Sequence, residues 1–174
     1  PGPDTIRGDF SGHRIQEGVD IMDVNAINPI LASFTEVLPL LGFSKVTKKK
    51  VSLAGSTLAY DGILLNVAVV GSIKGVLLLG MSFEDAKKFA SKMMMGMEVL
   101  ELDSLAQSAI SEMTNMVCAN ACTQFSKADI GGLDISPPTL MMGTGGMATL
   151  PVPQAIIIDF DCDGIEVKLY VGLA

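Results

Sequence analysis

Ser108, Glu112 and Asn115 are the residues whose types and spacing could do chemistry. They sit at i, i+4 and i+7 in the stretch Ser108-Ala-Ile-Ser-Glu-Met-Thr-Asn115. On a helix this spacing gives one straight stripe, with the acid and the amide one turn apart. Glu112 is the only charged residue between Asp103 and Lys127. Asn is a poor choice for mid-helix, because its amide competes with the backbone. A carboxylate can hold a cationic group, and a carboxamide both donates and accepts hydrogen bonds. On residue types alone the stripe is open to two readings: a polar face that meets water, or a contact surface presenting Glu112 and Asn115.

The stripe needs a helix, and the helix needs a body to lean on. Asp103 is placed to cap a long helix from Ser104 to about Lys127, ended by Gly131-Gly132. On its wheel Leu105, Ala106, Ala109, Ile110, Met113, Met116 and Val117 form the expected core face. Gln107, Ser108, Ser111, Glu112, Thr114 and Asn115 form the expected outer face. A first helix is expected over Asn25 to Leu41, with Asn28 as N-cap before an N1 proline, Pro29. Pro39 kinks its end or stops it early, and Gly42 closes it. A second helix starts at Ser82, with acids in its first turn, and runs to about Met95. Met93, Met94, Met95 and Met97 are expected to fill core gaps.

Between the helices lie strands. Lys45 to Leu53 reads as one, with Lys48-Lys49-Lys50 on a solvated face or guarding an edge. Gly62 to Gly80 is apolar enough to suggest a membrane span, but Gly71-Ser-Ile-Lys-Gly75 interrupts it with turn chemistry and a charge. A buried hairpin of Ile63 to Val70 and Val76 to Leu79 is the better reading. Leu133 to Ser136 begins a strand that Pro137-Pro138 breaks, and Leu140 to Met142 resumes it. Gly143 to Pro153 reads as a flexible loop; it lacks the Gly-Lys-Ser/Thr of a phosphate-cradling loop. Ala155 to Phe160, an Asp161-Cys-Asp-Gly164 turn and Ile165 to Val171 make a second hairpin. Helix plus about three strands thus occurs twice, with an extra helix between. The expected fold is α+β, a mostly antiparallel sheet with helices packed on one side in pseudo-symmetric halves.

Bulk properties exclude several function classes. The 174 residues suit a single domain, with a net charge of −7 that argues against nucleic acid as the main partner. The segment 1–21 is polar, contains Gly and Pro, and is expected to be a tail or expression remnant, leaving one domain over 22–174. The sole histidine, His13, falls in that tail. Without it, His-dependent nucleophile systems and His-ligated metal sites have no source in the domain. Cys118, Cys122 and Cys162 are too few and too scattered for a metal site, and read as small buried thiols of a reducing compartment. No metal or organic cofactor of its own is expected, nor insertion into a membrane.

The pattern Ser108-x3-Glu112-x2-Asn115-x22-Pro138 resembles the signature Asp/Ser-x3-Glu-x2-Asn-x22-Pro of the CheC/CheX/FliY chemotaxis phosphatase family. All four anchor positions are in register. The order of elements across residues 23 to 172, the Asn28-Pro29 helix start and Asp134-Ile-Ser-Pro-Pro138 are also similar, to the CheX branch in particular. The resemblance implies a cytoplasmic hydrolase acting on the aspartyl-phosphate of a CheY-type response regulator. It would give Asn115 the task of orienting the attacking water and Glu112 the task of docking to a lysine in the partner's site. Ser108 and Pro138 would be supporting, and Mg²⁺ would belong to the partner. Relatives with two active helices repeat the Glu-x2-Asn pair; here the first helix offers Ala32, Glu36 and Pro39, and proline has no amide to present. One active helix per chain resembles the branch whose members are typically homodimers. The alternative is a non-catalytic adaptor, in which the same helix binds a receiver domain or flagellar-switch partner without hydrolysis.

Overall fold

The structure, a computed structural model, describes residues 27–173. The expected tail over 1–21, His13, and Asn25 and Ala26 of the first expected helix lie outside the described residues. The elements run α1 (Asn28–Leu40), β1 (Val46–Val70), β2 (Gly75–Met81), α2 (Phe83–Met93), α3 (Ser104–Lys127), β3 (Asp134–Ile135), β4 (Thr139–Cys162) and β5 (Ile165–Leu173). All strand pairings are antiparallel.

Two long strands organise the sheet. β1 pairs with β4 along nearly their whole lengths, from Val46 opposite Cys162 to Asn66 opposite Thr139. Each then turns back: β1 into β2 beyond the Val69–Gly75 pair, and β4 into β5 beyond the Cys162–Ile165 pair. The returning strands pair with each other, from Gly75 opposite Leu173 to Gly80 opposite Lys168. The halves therefore repeat one plan, a helix followed by a long strand and its hairpin return, related by an approximate two-fold between β1 and β4. This is the pseudo-symmetric α+β architecture that the element order implies.

Several elements differ from the expectations in boundary or kind. The separate strands expected at Lys45–Leu53 and Ile63–Val70 are one strand with register shifts after Lys48, Gly55 and Tyr60. The expected Gly143–Pro153 loop is part of β4. Glycines suit this stretch because the Tyr60 ring lies across it: a Cβ on Gly146 would come within 2.5 Å of that ring. Pro151 and Pro153 fall where residues 150–153 bulge between the Gly55–Gln154 and Thr57–Thr149 pairs, so no ladder N–H is missed. At α1 the N-cap position is Ile27, not Asn28, and no side chain caps it. Pro39 sits in the final turn, close enough to the end for the helix to finish around it. The second helix stops at Met93, and Met95 is 98% exposed and Met97 60% exposed, so half of the methionine cluster is surface rather than core filler.

The helices pack on one face of the sheet, over a core of alternate strand residues. Ile63, Leu65, Val67 and Val69 of β1 point into it together with Leu77 and Leu79 of β2 and Val167, Leu169 and Val171 of β5. On the opposite face Leu64, Val76, Leu78 and Tyr170 are covered by Leu58, Leu150 and Val152 from the middle of the β1–β4 ribbon. Burial from both sides explains the unbroken apolar run Val76–Leu79 that suggests a membrane span on hydropathy alone. Among the described residues no helix is long and apolar enough to cross a membrane.

The Asp163-Gly164 turn between β4 and β5 has both residues at positive φ, 54° and 85°, the geometry of a two-residue hairpin loop. Asp163 also ties three segments together. It accepts hydrogen bonds from the backbone N–H groups of Ser44 at 2.8 Å and Lys45 at 2.7 Å, and pairs with Lys92 Nζ of α2 at 2.5 Å. The Lys92 hydrogen bond, then those from Ser44 and Lys45, hold its carboxyl below the ordinary value of 3.8. A lowered folded-state pKa means the carboxylate stabilises the fold above the unfolded value, and the contribution is lost as pH falls through the folded one. Asp163→Asn is therefore expected to lower Tm at pH 7, with the gap to wild type closing below pH 4. A gap that stays constant from pH 7 to pH 3 in a thermal melt series would assign the loss to the turn geometry and not to the charge.

Candidate functional site

Helix α3 is built as its sequence implies. Asp103 caps it, its carboxylate accepting from the Ala106 N–H at 2.9 Å, and Lys127 lies in the last turn. Ala106, Ile110, Met113, Val117, Cys118, Ala121 and Phe125 are buried against the sheet and α1. The buried arc is turned relative to the expected wheel. Thr114, expected on the outer face, is fully buried, its hydroxyl donating to Ile110 O at 3.0 Å. Leu105, expected in the core, is 59% exposed. α3 packs against α1 and α2 as well as the sheet, so its buried arc is centred nearer Thr114 and leaves Leu105 on the outer side.

The stripe itself stays outside. Ser108 and Glu112 are exposed and Asn115 is half-buried. Neighbouring polar residues of the helix are engaged: Gln107 with Leu102 O at 2.7 Å, and Gln124 with Asn120 at 3.3 Å and with Glu36. Among the described residues, by contrast, no side-chain hydrogen bond or ion pair engages Ser108, Glu112 or Asn115. The helix thus presents an acid and an amide whose polar capacity is open to another molecule. Pro138 is half-buried in the link between β3 and β4, a few residues beyond the Val70–Asp134 and Val69–Ile135 pairs. It joins two strands that both touch α3.

The pseudo-symmetric partner helix is arranged differently. In α1 the corresponding residues are Ala32, Glu36 and Pro39. The Glu36 carboxylate accepts a hydrogen bond from Gln124 of α3. Ser33 donates to Val117 O at 2.5 Å from a fully buried position. α1 therefore serves as a brace for α3, with its acid tied to the neighbour and a proline where an amide would stand.

Other chemistry-bearing groups are set aside by their surroundings. Burial pushes the thiols of Cys118 and Cys162 up to about 12, which leaves them protonated and unreactive near neutral pH. Cys122 is half-buried and unpaired, its thiol raised by burial and then by Asp134. Among the described residues no three of His, Cys, Asp and Glu come together as metal ligands. The open cavity of about 290 Å³ lined by Tyr60, Asp61, Asp85, Glu166 and Lys168 lies among strand and α2 residues, away from the stripe.

One feature of the surface was not read from the sequence: Leu105 is exposed on the stripe, two turns before Glu112. The signal was there, since seven residues bring a helix back to nearly the same direction.

The antiparallel sheet with its helices on one face is the fold of solved CheC-like and CheX proteins. The family model described as chemotaxis phosphatase CheX matches residues 63–161. The chain is 30% identical over 148 residues to the CheY-P phosphatase CheX of Thermotoga maritima, covering 80% of this chain and 94% of that one. Among solved structures, a CheC-like superfamily protein from Shewanella sp. PV-4 superposes with a TM-score of 0.77 at 23% identity, over 88% of this chain and 99% of that one. A chain of the CheX–CheY–BeF3–Mg²⁺ complex from Borrelia burgdorferi superposes with a TM-score of 0.68 at 22% identity, over 85% and 97%. The chain belongs to the CheX family of chemotaxis phosphatases.

Proposed function

We propose that this chain hydrolyses the aspartyl-phosphate of a CheY-type response regulator, with α3 as the helix that enters the partner's site. The observation that carries the reading is the unpartnered Glu112–Asn115 pair on a helix otherwise free of charge between Asp103 and Lys127. The relative from Thermotoga maritima is a CheY-P phosphatase, and the Borrelia burgdorferi structure is of CheX with CheY.

In this reading the Asn115 carboxamide accepts a proton contact from a water and donates to a phosphoryl oxygen, holding the water in line behind phosphorus. The P–O bond to the aspartate breaks as the water oxygen bonds phosphorus, yielding a free carboxylate and inorganic phosphate. Positioning is enough, because phosphoryl transfer asks little covalent chemistry of the protein. Glu112 docks to a lysine of the receiver. The Mg²⁺ is the receiver's, as fits a complex that contains CheY and Mg²⁺. Ser108 begins the stripe as a supporting residue, and Pro138 shapes the β3–β4 link. A receiver substrate sets the site of action in the cytoplasm. The active form in this reading is a homodimer; the outer side of β1 from Val46 to Gly55, which among the described residues pairs only with β4, carries exposed Val51 and Leu53 that a second copy would cover.

Glu112→Gln tests the docking role. A charge-assisted bond contributes about 1.5–3 kcal/mol, so KM for the phosphorylated receiver is expected to rise about tenfold or more while kcat falls less. The wild-type KM should also rise with ionic strength more steeply than that of the variant. Equal KM values for the two proteins would remove Glu112 from the interface.

A further inference from the structure

We infer that the α2–α3 connection, from Met97 to Leu105, is a second contact area for the receiver domain, an apolar and acidic shoulder that sets affinity. The inference rests on the proposed docking of α3 and extends it along the chain.

The shoulder is built to hold its shape. Val99 and Leu102 tuck against the main core. Gln107 Nε2 bonds Leu102 O at 2.7 Å and Asp103 caps the helix, so the segment runs directly into the first turn of α3. With those two side chains anchored inward, the residues between and beside them face out. Met97 is 60% exposed, Leu100 73% and Leu105 59%. Three large apolar side chains left outside within nine residues, on a segment anchored by the partly buried Val99 and Leu102, mark a surface meant to be covered.

The chemistry indicates which occupant covers it. Glu98 and Glu101 are exposed beside the apolar groups, the segment from Met97 to Leu105 holds no Lys or Arg, and Lys87 and Lys88 of α2, which share a cleft with Glu98, pair with Glu84 at 3.1 Å and Asp85 at 3.9 Å. Leu105 is continuous with the stripe, two turns ahead of Glu112 on the same side of the helix. A receiver that offers a lysine to Glu112 is placed by the helix direction so that its adjoining surface meets Leu105 and then Leu100. The fitting partner surface is apolar with basic residues at its rim. A contact of this kind is the same before and during the reaction, so it lowers KM without changing kcat.

The test is the equilibrium binding of a CheY-type receiver loaded with Mg²⁺ and beryllofluoride, alongside turnover of the phosphorylated receiver, for the full chain and for Leu100→Ser/Leu105→Ser. Burying a leucine at an interface is worth about tenfold in affinity, so the double variant is expected to weaken Kd roughly 10- to 100-fold, with turnover at saturation held. Leu40→Ser, at an equally exposed leucine on α1, serves as control and leaves Kd unchanged. An unchanged Kd for the double variant overturns the shoulder. So does a drop in oligomeric state by light scattering with Kd preserved, which would give the surface to a second copy of the chain. The two readings fail separately. Loss of turnover in Asn115→Ala with no effect of the leucines sinks the shoulder alone. Binding that depends on the leucines without any turnover by wild type sinks the hydrolytic reading and leaves the shoulder standing.

Discussion

Replacing Asn115 by alanine is expected to reduce the rate of receiver dephosphorylation about a hundredfold or more. The expectation follows from what the chain offers. The stripe has one acid, one amide and a serine, and among the described residues no three of His, Cys, Asp and Glu come together to hold a metal. If the helix accelerates hydrolysis, the amide must do it by fixing a water, and alanine can fix none. The receiver should still bind, because Glu112 is retained. Stability should not suffer: Asn115 is half-buried, and alanine is the better helix former. The check is a stopped-flow or radiolabel decay of the phosphorylated receiver at saturating wild type and variant, with a thermal melt of each. A variant retaining a third or more of the wild-type rate would take the water-positioning role away from Asn115.

The second large effect concerns the brace. Phe34 of α1 is fully buried and stacks on Phe160 of β4, with ring centroids 4.2 Å apart. Phe160 belongs to the strand that pairs with both β1 and β5, so this contact fixes α1 to the middle of the sheet. α1 in turn holds α3 through Ser33–Val117 and Gln124–Glu36. Phe34→Ala deletes the ring and leaves a hole that neighbours can fill only in part. The expected cost is about 3–5 kcal/mol, with Tm lowered on the order of 10 °C. Urea unfolding should show a lower midpoint at unchanged slope. A loss below about 1 kcal/mol would mean that α1 is not fastened to the sheet in this way.

What the sequence made legible, and what it hid, divides along physical lines. Local chemistry was readable. Asp103 and Ser82 cap where their type predicts, and the Asp163-Gly164 turn sits where two apolar runs meet. The Glu112–Asn115 spacing, read with Pro138, led to the family. What failed depended on partners distant in the chain. Gly143 to Pro153 has the residues of a loop, and only pairing with residues 55–62 of β1, under the Tyr60 ring, makes it strand. Thr114 and Leu105 exchanged places because α1 and α2 pack on α3 along with the sheet, and a helical wheel does not know where those neighbours lie. Met95 and Met97 look like core filler by type and lie outside, since α2 ends at Met93 and the chain leaves it with Met95 at a φ of 60°. The four-residue match identified the stripe without knowing any of this, because an exposed stripe on one helix depends on spacing alone.

The most direct test of the central claim is single-turnover decay of a phosphorylated CheY-type receiver, with Mg²⁺, alone and with excess wild-type chain. The hydrolytic reading predicts faster loss of phosphate, released as inorganic phosphate in step with recovery of the unmodified receiver. A receiver that is demonstrably bound yet loses phosphate at its own unaided rate would contradict it.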